Sequence, residues 1–246
     1  MGHGLTQGGA SAPSPSHKGK VIFCIPTLRK PYQVTLDALE ASIPLIEAAG
    51  WDHGLVSEVG CPYISAARAT MLRKALDAKA DLIVFIDHDV SWQPEDLLTL
   101  IEAEGDVVCG TYRFKKPGDH YMGQPLPGVD GRPQVREDGA IRGFCAPAGF
   151  LKVTKEAVNA FIGAYPELCY GDKFAPHVDL FNHGAHGGVW YGEDYAFCRR
   201  WRDLGGELWI LPELHIDHHS EDCRYVGHYA GHLRRQPGGS AHVPSA

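Results

Sequence analysis

Apolar runs and helical stripes alternate along about the first 110 residues. KVIFCIPT, residues 20–27, is almost uninterrupted apolar sequence ending in Pro-Thr, as expected of a strand buried on both faces. VTLDALEASIPLIEAAG follows with Leu36, Leu39, Ile43 and Ile46 at helical spacing and Gly50 as a stop. Pro44 inside this stripe predicts a kinked or split helix. DHGLVSEVG fits a second strand, and ISAARATMLRKALDAKA a helix with Ile64, Ala67, Met71 and Ala75 on one face. A third strand, LIVFI, runs into Asp87-His88-Asp89. A helix is predicted from Pro94, with Glu95 and Asp96 at its positive end, and DVVCGTY fits a fourth strand.

Such alternation predicts a right-handed, mostly parallel, Rossmann-like α/β sheet. Ligands bind such sheets beyond the carboxyl ends of the strands, where Asp87 and Asp89 fall. Residues 113–143 change character: rich in Gly, Pro and charge, they predict hairpins or a mobile loop. A strand over 149–153, a helix from about Thr154 and a Gly-rich loop over 181–194 come next. The helix EDYAFCRRWRDLGG places Phe197, Trp201 and Leu204 on one face and ends at Gly205-Gly206. ELWILPELHIDHHS predicts a final strand and a histidine cluster.

The 246 residues suit one large domain, here expected over 19–235, with tails at 1–18 and 236–246 whose Gly, Ser and Pro content predicts disorder. No signal-peptide core and no membrane-length apolar run is present. The net charge of −7 argues against a broad nucleic-acid surface or a polybasic membrane anchor. Seven scattered cysteines without a C-x-x-C fit reduced core residues of a cytoplasmic protein, since the spacing of structural zinc sites is missing.

Asp87 and Asp89 pose the chemical question. Side chains at i and i+2 share a face of a strand, so if strand geometry persists both carboxylates project together. Two adjacent negative charges require a positive partner, and hard oxygens suit Mg²⁺ or Mn²⁺. Turn and helix-cap carboxylates after a strand are the competing account. His215, His218 and His219 fit further ligands or a solvated segment.

These segments, in this order, resemble the GT-A fold of nucleotide-sugar glycosyltransferases over about residues 20–220. FIDHDVSW with PEDL resembles the D-x-D motif and its following helix, in a family-two-like form. CIPTLR resembles the nucleotide-binding end of the first strand, and ISAARATML an Ala-Arg-Asn helix start in which Ala69 replaces the usual Asn. GFLKVTKEAV resembles the acceptor-side strand and helix, and YGEDYAFCRRWRDLGGELWILPELHIDHHS the Glu-Asp helix, strand and metal-binding histidine. The resemblance implies a GT-A sheet with helices on both faces and a small acceptor-side β/loop region. It divides the domain into a nucleotide half over 19–112 and an acceptor half over 113–235.

It further implies Asp89 and His218 as metal ligands, with Asp87 binding ribose or reaching the ion through water. His215 and His219 stay open as alternatives to His218. Pro26, Thr27, Arg29, Arg68 and His88 would contact the nucleotide, and Arg68 is able to pair with a carboxylate or phosphate. Lys115 and Lys116 would touch the diphosphate. Asp194 would act as base with Glu193 beside it, although first-turn carboxylates also suit the helix dipole. Gly149, Trp190 and Tyr191 would face the substrate. Trp92, Tyr112, His177, His183 and His186 lie near these motifs, with core packing or ordinary surface histidines as the alternative.

The function so implied is metal-dependent transfer of a hexose from a nucleotide-sugar, a UDP-sugar by preference, to a hydroxyl acceptor, with inversion favoured over retention. A homodimer is left open. A nucleotidyltransferase making a nucleotide-sugar is the second reading, weakened because CIPTLRKPYQ has no glycines to cradle a triphosphate. A non-catalytic sugar-binding protein is the third.

Overall fold

The computed structural model describes residues 17–235. Apart from His17 and Lys18, the two expected tails lie outside the described residues. The chain begins with β1 (Gly19–Thr27), α1 (Gln33–Ala48), β2 (Trp51–Val59), α2 (Ile64–Asp77) and β3 (Leu82–Ile86). It continues through β4 (Val90–Trp92), α3 (Pro94–Glu102), β5 (Val107–Cys109), β6 (Gln124–Pro125), β7 (Ile141–Cys145), β8 (Phe150–Thr154) and α4 (Lys155–Ala164). Two hairpins follow, β9 (Cys169–Asp172) with β10 (Ala175–Val178), and β11 (Gly184–His186) with β12 (Val189–Tyr191). The last elements are α5 (Glu193–Asp203), β13 (Leu208–Ile210), β14 (Ile216–His219), β15 (Arg224–Tyr225) and α6 (Tyr229–Arg235).

Eight strands form the central sheet in the order β2-β1-β3-β8-β5-β13-β7-β6. β1 pairs in parallel with β2 and β3, and β5 with β13. β8 runs antiparallel between β3 and β5, and β7 antiparallel to β13 and β6. The sheet is therefore α/β but mixed, with most strands running one way. The expected final strand is two: the chain leaves the main sheet through Leu211 and Pro212, and β14 joins a small sheet ordered β15-β14-β4. Proline has no N–H to extend a ladder, which suits this exit.

Strand alternation sorts the core into two layers. On one face Val21, Phe23, Ile25, Leu82, Val84 and Ile86 pack with Leu39 and Ile46 of α1 and Leu97, Leu100 and Ile101 of α3. On the other, Ile22, Cys24, Ile83 and Phe85 pack with Met71 and Leu72 of α2, Phe161 of α4 and Phe197 of α5. Helices thus cover both faces. Pro44 does not split α1. It sits on the exposed side, and the carbonyl it leaves unbonded belongs to exposed Glu40, on the solvent-facing side of the helix. The 113–143 segment is built from short antiparallel contacts, Arg113 with Tyr121, Pro127 with Pro133 and Val135 with Ile141, around β6. Among the described residues no helix is long and apolar enough to cross a membrane.

Lys152 in β8 is buried, and its ammonium donates to the carbonyls of Ala103 and Ile101 where α3 ends. Burial pulls its pKa down to about 8. Lys152→Met should leave those carbonyls without their donor and lower stability by about 1–3 kcal/mol in urea unfolding.

Candidate active site

The site begins where β3 ends. Ile83 and Phe85 face α2, and Asp87 keeps that direction: its Oδ1 accepts from Arg68 Nη2 at 3.0 Å. Then the chain turns at His88 and Asp89 instead of continuing as a strand. The first turn of α1 clamps this turn, with Tyr32 N donating to the His88 carbonyl at 2.8 Å and Thr35 Oγ1 lying 3.0 Å from His88 O and 2.8 Å from Val90 O. The two carboxylates consequently have different partners, correcting the expectation that strand geometry would persist and aim them alike. Both still line one cavity of about 290 Å³, together with Pro26, Ile64, Arg68, His88, Glu193 and His218.

Asp87 is the more tightly held. Tyr112, wholly buried, donates its hydroxyl to Asp87 Oδ2 at 2.9 Å, and Gly149 O accepts from Asp87 N at 2.9 Å. A Cβ on Gly149 would lie 2.0 Å from the Tyr112 hydroxyl and 2.1 Å from Asp87 Oδ2, so only glycine admits this pair. Arg68 is 3% exposed and divides its charge, with Nη1 also 3.2 Å from Glu193 Oε1 at the start of α5. Its guanidinium lies over the Phe181 ring, 5.0 Å from the centroid. Arg68 therefore orders the site's carboxylates, the carboxylate partner among the two foreseen for it.

Asp89 is 7% exposed and meets positive groups. Lys115 donates to its Oδ2, His218 Nε2 stands 3.5 Å from Oδ1, and His88 Nε2 3.8 Å from Oδ2. Burial pushes its pKa up, but His218, Lys115 and His88 together outweigh burial and bring it down to about 2. His218 arrives by register: β14 pairs with β4 so that His218 lies opposite Val90, and His219 N donates to the Asp89 carbonyl at 2.8 Å. His218 Nδ1 is 2.7 Å from the Arg113 carbonyl, which only accepts, so Nδ1 donates there and the ring is oriented with Nε2 toward Asp89.

The structure separates the three histidines. His219 faces away from Asp89's carboxylate, its Nε2 2.8 Å from Ser91 Oγ, and exposed His215 stacks on His228 with ring centroids 4.2 Å apart. Lys116 lies over the Phe114 ring instead of reaching the cavity. Trp92 is core, donating to Ser42 Oγ at 3.1 Å, and so is no surface platform. Among the described residues no group of three or more His, Cys, Asp or Glu is placed to hold a metal ion. Asp89 and His218 are the pair that points together.

A second, larger cavity of about 800 Å³ shares His88 and is lined by Thr27, Arg29, Lys30, Tyr32, His219 and Glu221 among others. Thr27 is buried, and its Oγ1 has no hydrogen-bond partner among the described residues. Tyr32 packs edge-on to His88, with centroids 5.7 Å apart. Tyr32 and Tyr112 are the residues the sequence motifs did not assign to the site. Tyr112 had a signal in its place after the fourth strand, whereas Tyr32 had none.

At the start of α5, Asp194 is half-buried. Burial and the neighbouring charge of Glu193 push its pKa up to about 6, against the pull of Arg68. The β11–β12 hairpin leads into this helix through a turn at Gly187 and Gly188, both at positive φ as such a tight turn demands. It carries Trp190, 70% exposed, with His183 at 6.0 Å, and Tyr191 under Arg199.

No protein-family model matches the chain, nor does any curated protein. Among solved structures, it is similar to the catalytic domain of Drosophila beta1,4galactosyltransferase 7 in complex with xylobiose. The two are 15% identical at a TM-score of 0.41, over 78% of this chain and 63% of that one. GalNAc-T7 with UDP, GalNAc and Mn²⁺ is 11% identical at a TM-score of 0.45, over 82% and 44%. TarS of S. aureus, residues 1–349, is 12% identical at 0.41, over 78% and 58%. The chain thus spans 44% to 63% of the length of these three structures.

The Gly149 contact is testable as a coupling. Gly149→Ala should destabilise the protein by about 1–3 kcal/mol through overpacking. Tyr112→Phe added to it removes one of the overlapping atoms, so a double-mutant cycle in urea should show the pair to be less harmful than the sum of the singles.

Proposed function

We propose that this protein is a metal-dependent glycosyltransferase that moves a hexose from a nucleotide-sugar, most favourably a UDP-sugar, to a hydroxyl acceptor with inversion. One observation carries the reading. Asp89 and His218, a pair suited to a divalent ion, line one cavity with Asp87 and Glu193, the two carboxylates that Arg68 joins, and Asp194 follows Glu193 in the first turn of α5.

Asp89 and His218 fit Mn²⁺ or Mg²⁺ in chemistry: a hard carboxylate oxygen and an imidazole whose Nε2 faces it. Two protein ligands are few, which suits an ion completed by water and by phosphate oxygens of a substrate. When bound, such an ion supplies Lewis-acid stabilisation to the negative charge growing on a departing diphosphate. The chain does the rest. Thr27, Arg29, Tyr32 and His88 line the larger cavity beside that pair and would receive the nucleotide. Asp87, fixed by Arg68 and Tyr112, keeps an oriented carboxylate for a donor hydroxyl. Asp194, poised near neutrality, would accept the proton of the attacking hydroxyl. Trp190 and Tyr191 offer apolar faces on which an acceptor would stack.

Calorimetry with UDP, with and without Mn²⁺, tests the reading. UDP binding that requires Mn²⁺ and disappears in Asp89→Ala supports it, whereas triphosphate preference points to a nucleotidyltransferase and absence of nucleotide binding to a sugar-binding protein.

The base assignment makes its own prediction. The kcat/KM profile should fall tenfold per pH unit below an acid limb near pH 6. Asp194→Asn should lose transfer while retaining UDP affinity. Because the folded-state pKa of Asp194 is raised, its ionisation opposes folding as pH rises through the ordinary carboxylate range to about 6. The Asn variant should therefore be no less stable than the parent at pH 7. An acid limb near pH 4, or full transfer by Asp194→Asn, refutes the assignment.

A further inference from the structure

Lys115 occupies the other flank of the carboxylate that, with His218, would hold a divalent ion. Its ammonium contacts Oδ2 while His218 faces Oδ1, so the carboxylate's two oxygens are already committed to a cation and an imidazole. A carboxylate as buried as Asp89 requires a counter-charge, and Lys115 supplies it.

The backbone around Lys115 is pinned. The Arg113 carbonyl accepts from His218 at 2.7 Å, and Phe114 N donates to the His120 carbonyl at 3.0 Å. Beyond it, Asp119 is held by His232 at 3.0 Å and Arg235 at 2.9 Å of α6. The Lys115 side chain, by contrast, is 32% exposed and ends in a point charge on a four-carbon stem with freely turning donors. It is able to leave Asp89 without any movement of the loop that carries it. Two cations on one carboxylate repel, so an ion entering between Oδ1 and His218 weakens the ammonium's hold on Oδ2. The nearest chemistry then in need of a positive charge is the substrate diphosphate.

Building on the metal reading of Asp89 and His218, we propose that Lys115 is an exchangeable counter-ion. It neutralises Asp89 in the metal-free protein, yields that carboxylate to the divalent ion, and then binds the donor diphosphate. Metal affinity and diphosphate affinity are thereby set against each other in one side chain, a behaviour that neither a plain phosphate-binding lysine nor a structural salt bridge shows.

The experiment is titration of the full chain with Mn²⁺ alone, read by electron paramagnetic resonance of the free ion, followed by calorimetry with UDP at saturating Mn²⁺. Lys115→Met and Lys115→Gln should each bind Mn²⁺ about fivefold or more tightly in the absence of nucleotide, and bind UDP about tenfold more weakly once Mn²⁺ is saturating. Lys115→Arg should stay close to the parent in both. If the uncharged variants bind Mn²⁺ no better than the parent, or lose no UDP affinity, the exchange does not occur. That failure is separable from failure of the functional reading: a parent protein whose UDP binding needs Mn²⁺ and Asp89 keeps the reading while Lys115 is rejected. A parent that binds no Mn²⁺ in either titration overturns both.

Discussion

Arg68 lies almost wholly inside the protein, and a guanidinium does not lose its proton there. Its charge must be met by carboxylates, and Asp87 at 3.0 Å and Glu193 at 3.2 Å meet it. Those two residues end β3 and begin α5, elements 106 positions apart in the chain (193 − 87). One buried cation therefore sets the distance between the end of the central strand and the start of the carboxylate-bearing helix. Removing either partner leaves buried charge uncompensated, a penalty of roughly 3–5 kcal/mol in enclosed pairs and less here, where both carboxylates open onto the cavity. The Phe181 ring beneath the guanidinium and the absence of a side chain at Gly149 are the packing conditions for this arrangement.

The same constraint distributes charge across the site unequally. Asp87 and Glu193 share Arg68, and Asp89 takes Lys115 and His218, but Asp194 is left with enclosure and with Glu193 beside it. Its pKa rises near 6 while that of Asp89 falls near 2. Carboxylates driven apart in this way are suited to different tasks, one permanently anionic toward a cation and one ready to take up a proton near neutral pH. The split arises from how the chain folds around Arg68 and needs no unusual residue.

Much of this was legible beforehand, for a physical reason. The buried strands are continuous apolar runs and the helices carry clean stripes, so period alone separated them. The carboxylates stood at a strand end, where α/β sheets bind ligands, and the structure brings Asp87, Asp89, His218 and Glu193 to one cavity. What was not legible was set by contacts distant in sequence. The turn at His88 is held by Tyr32 and Thr35 of another element, and so the two aspartates part. That His218, and not His215 or His219, faces Asp89 follows from the register of β14 on β4, which no local pattern encodes. Tyr112 looked like an ordinary core aromatic, and only its hydroxyl, aimed at Asp87, distinguishes it. Pro44 leaves α1 unsplit because a proline's effect depends on which side of the helix loses its donor.

The small β15-β14-β4 sheet explains how a site assembled from such separated pieces keeps its register. β4 is the direct continuation of the Asp87–Asp89 turn, so pairing it with β14 ties the histidine to the aspartate through backbone hydrogen bonds, which are stiffer than any side-chain contact. His218 in turn grips the Arg113 carbonyl, and that residue begins the loop bearing Lys115. Strand end, histidine and lysine loop thus form one connected chain of contacts, and Arg68 joins it to the start of α5 through Asp87 and Glu193. Asp89 and His218 from one direction and Glu193 from α5 meet in one cavity whose carboxylates are each held by a cation.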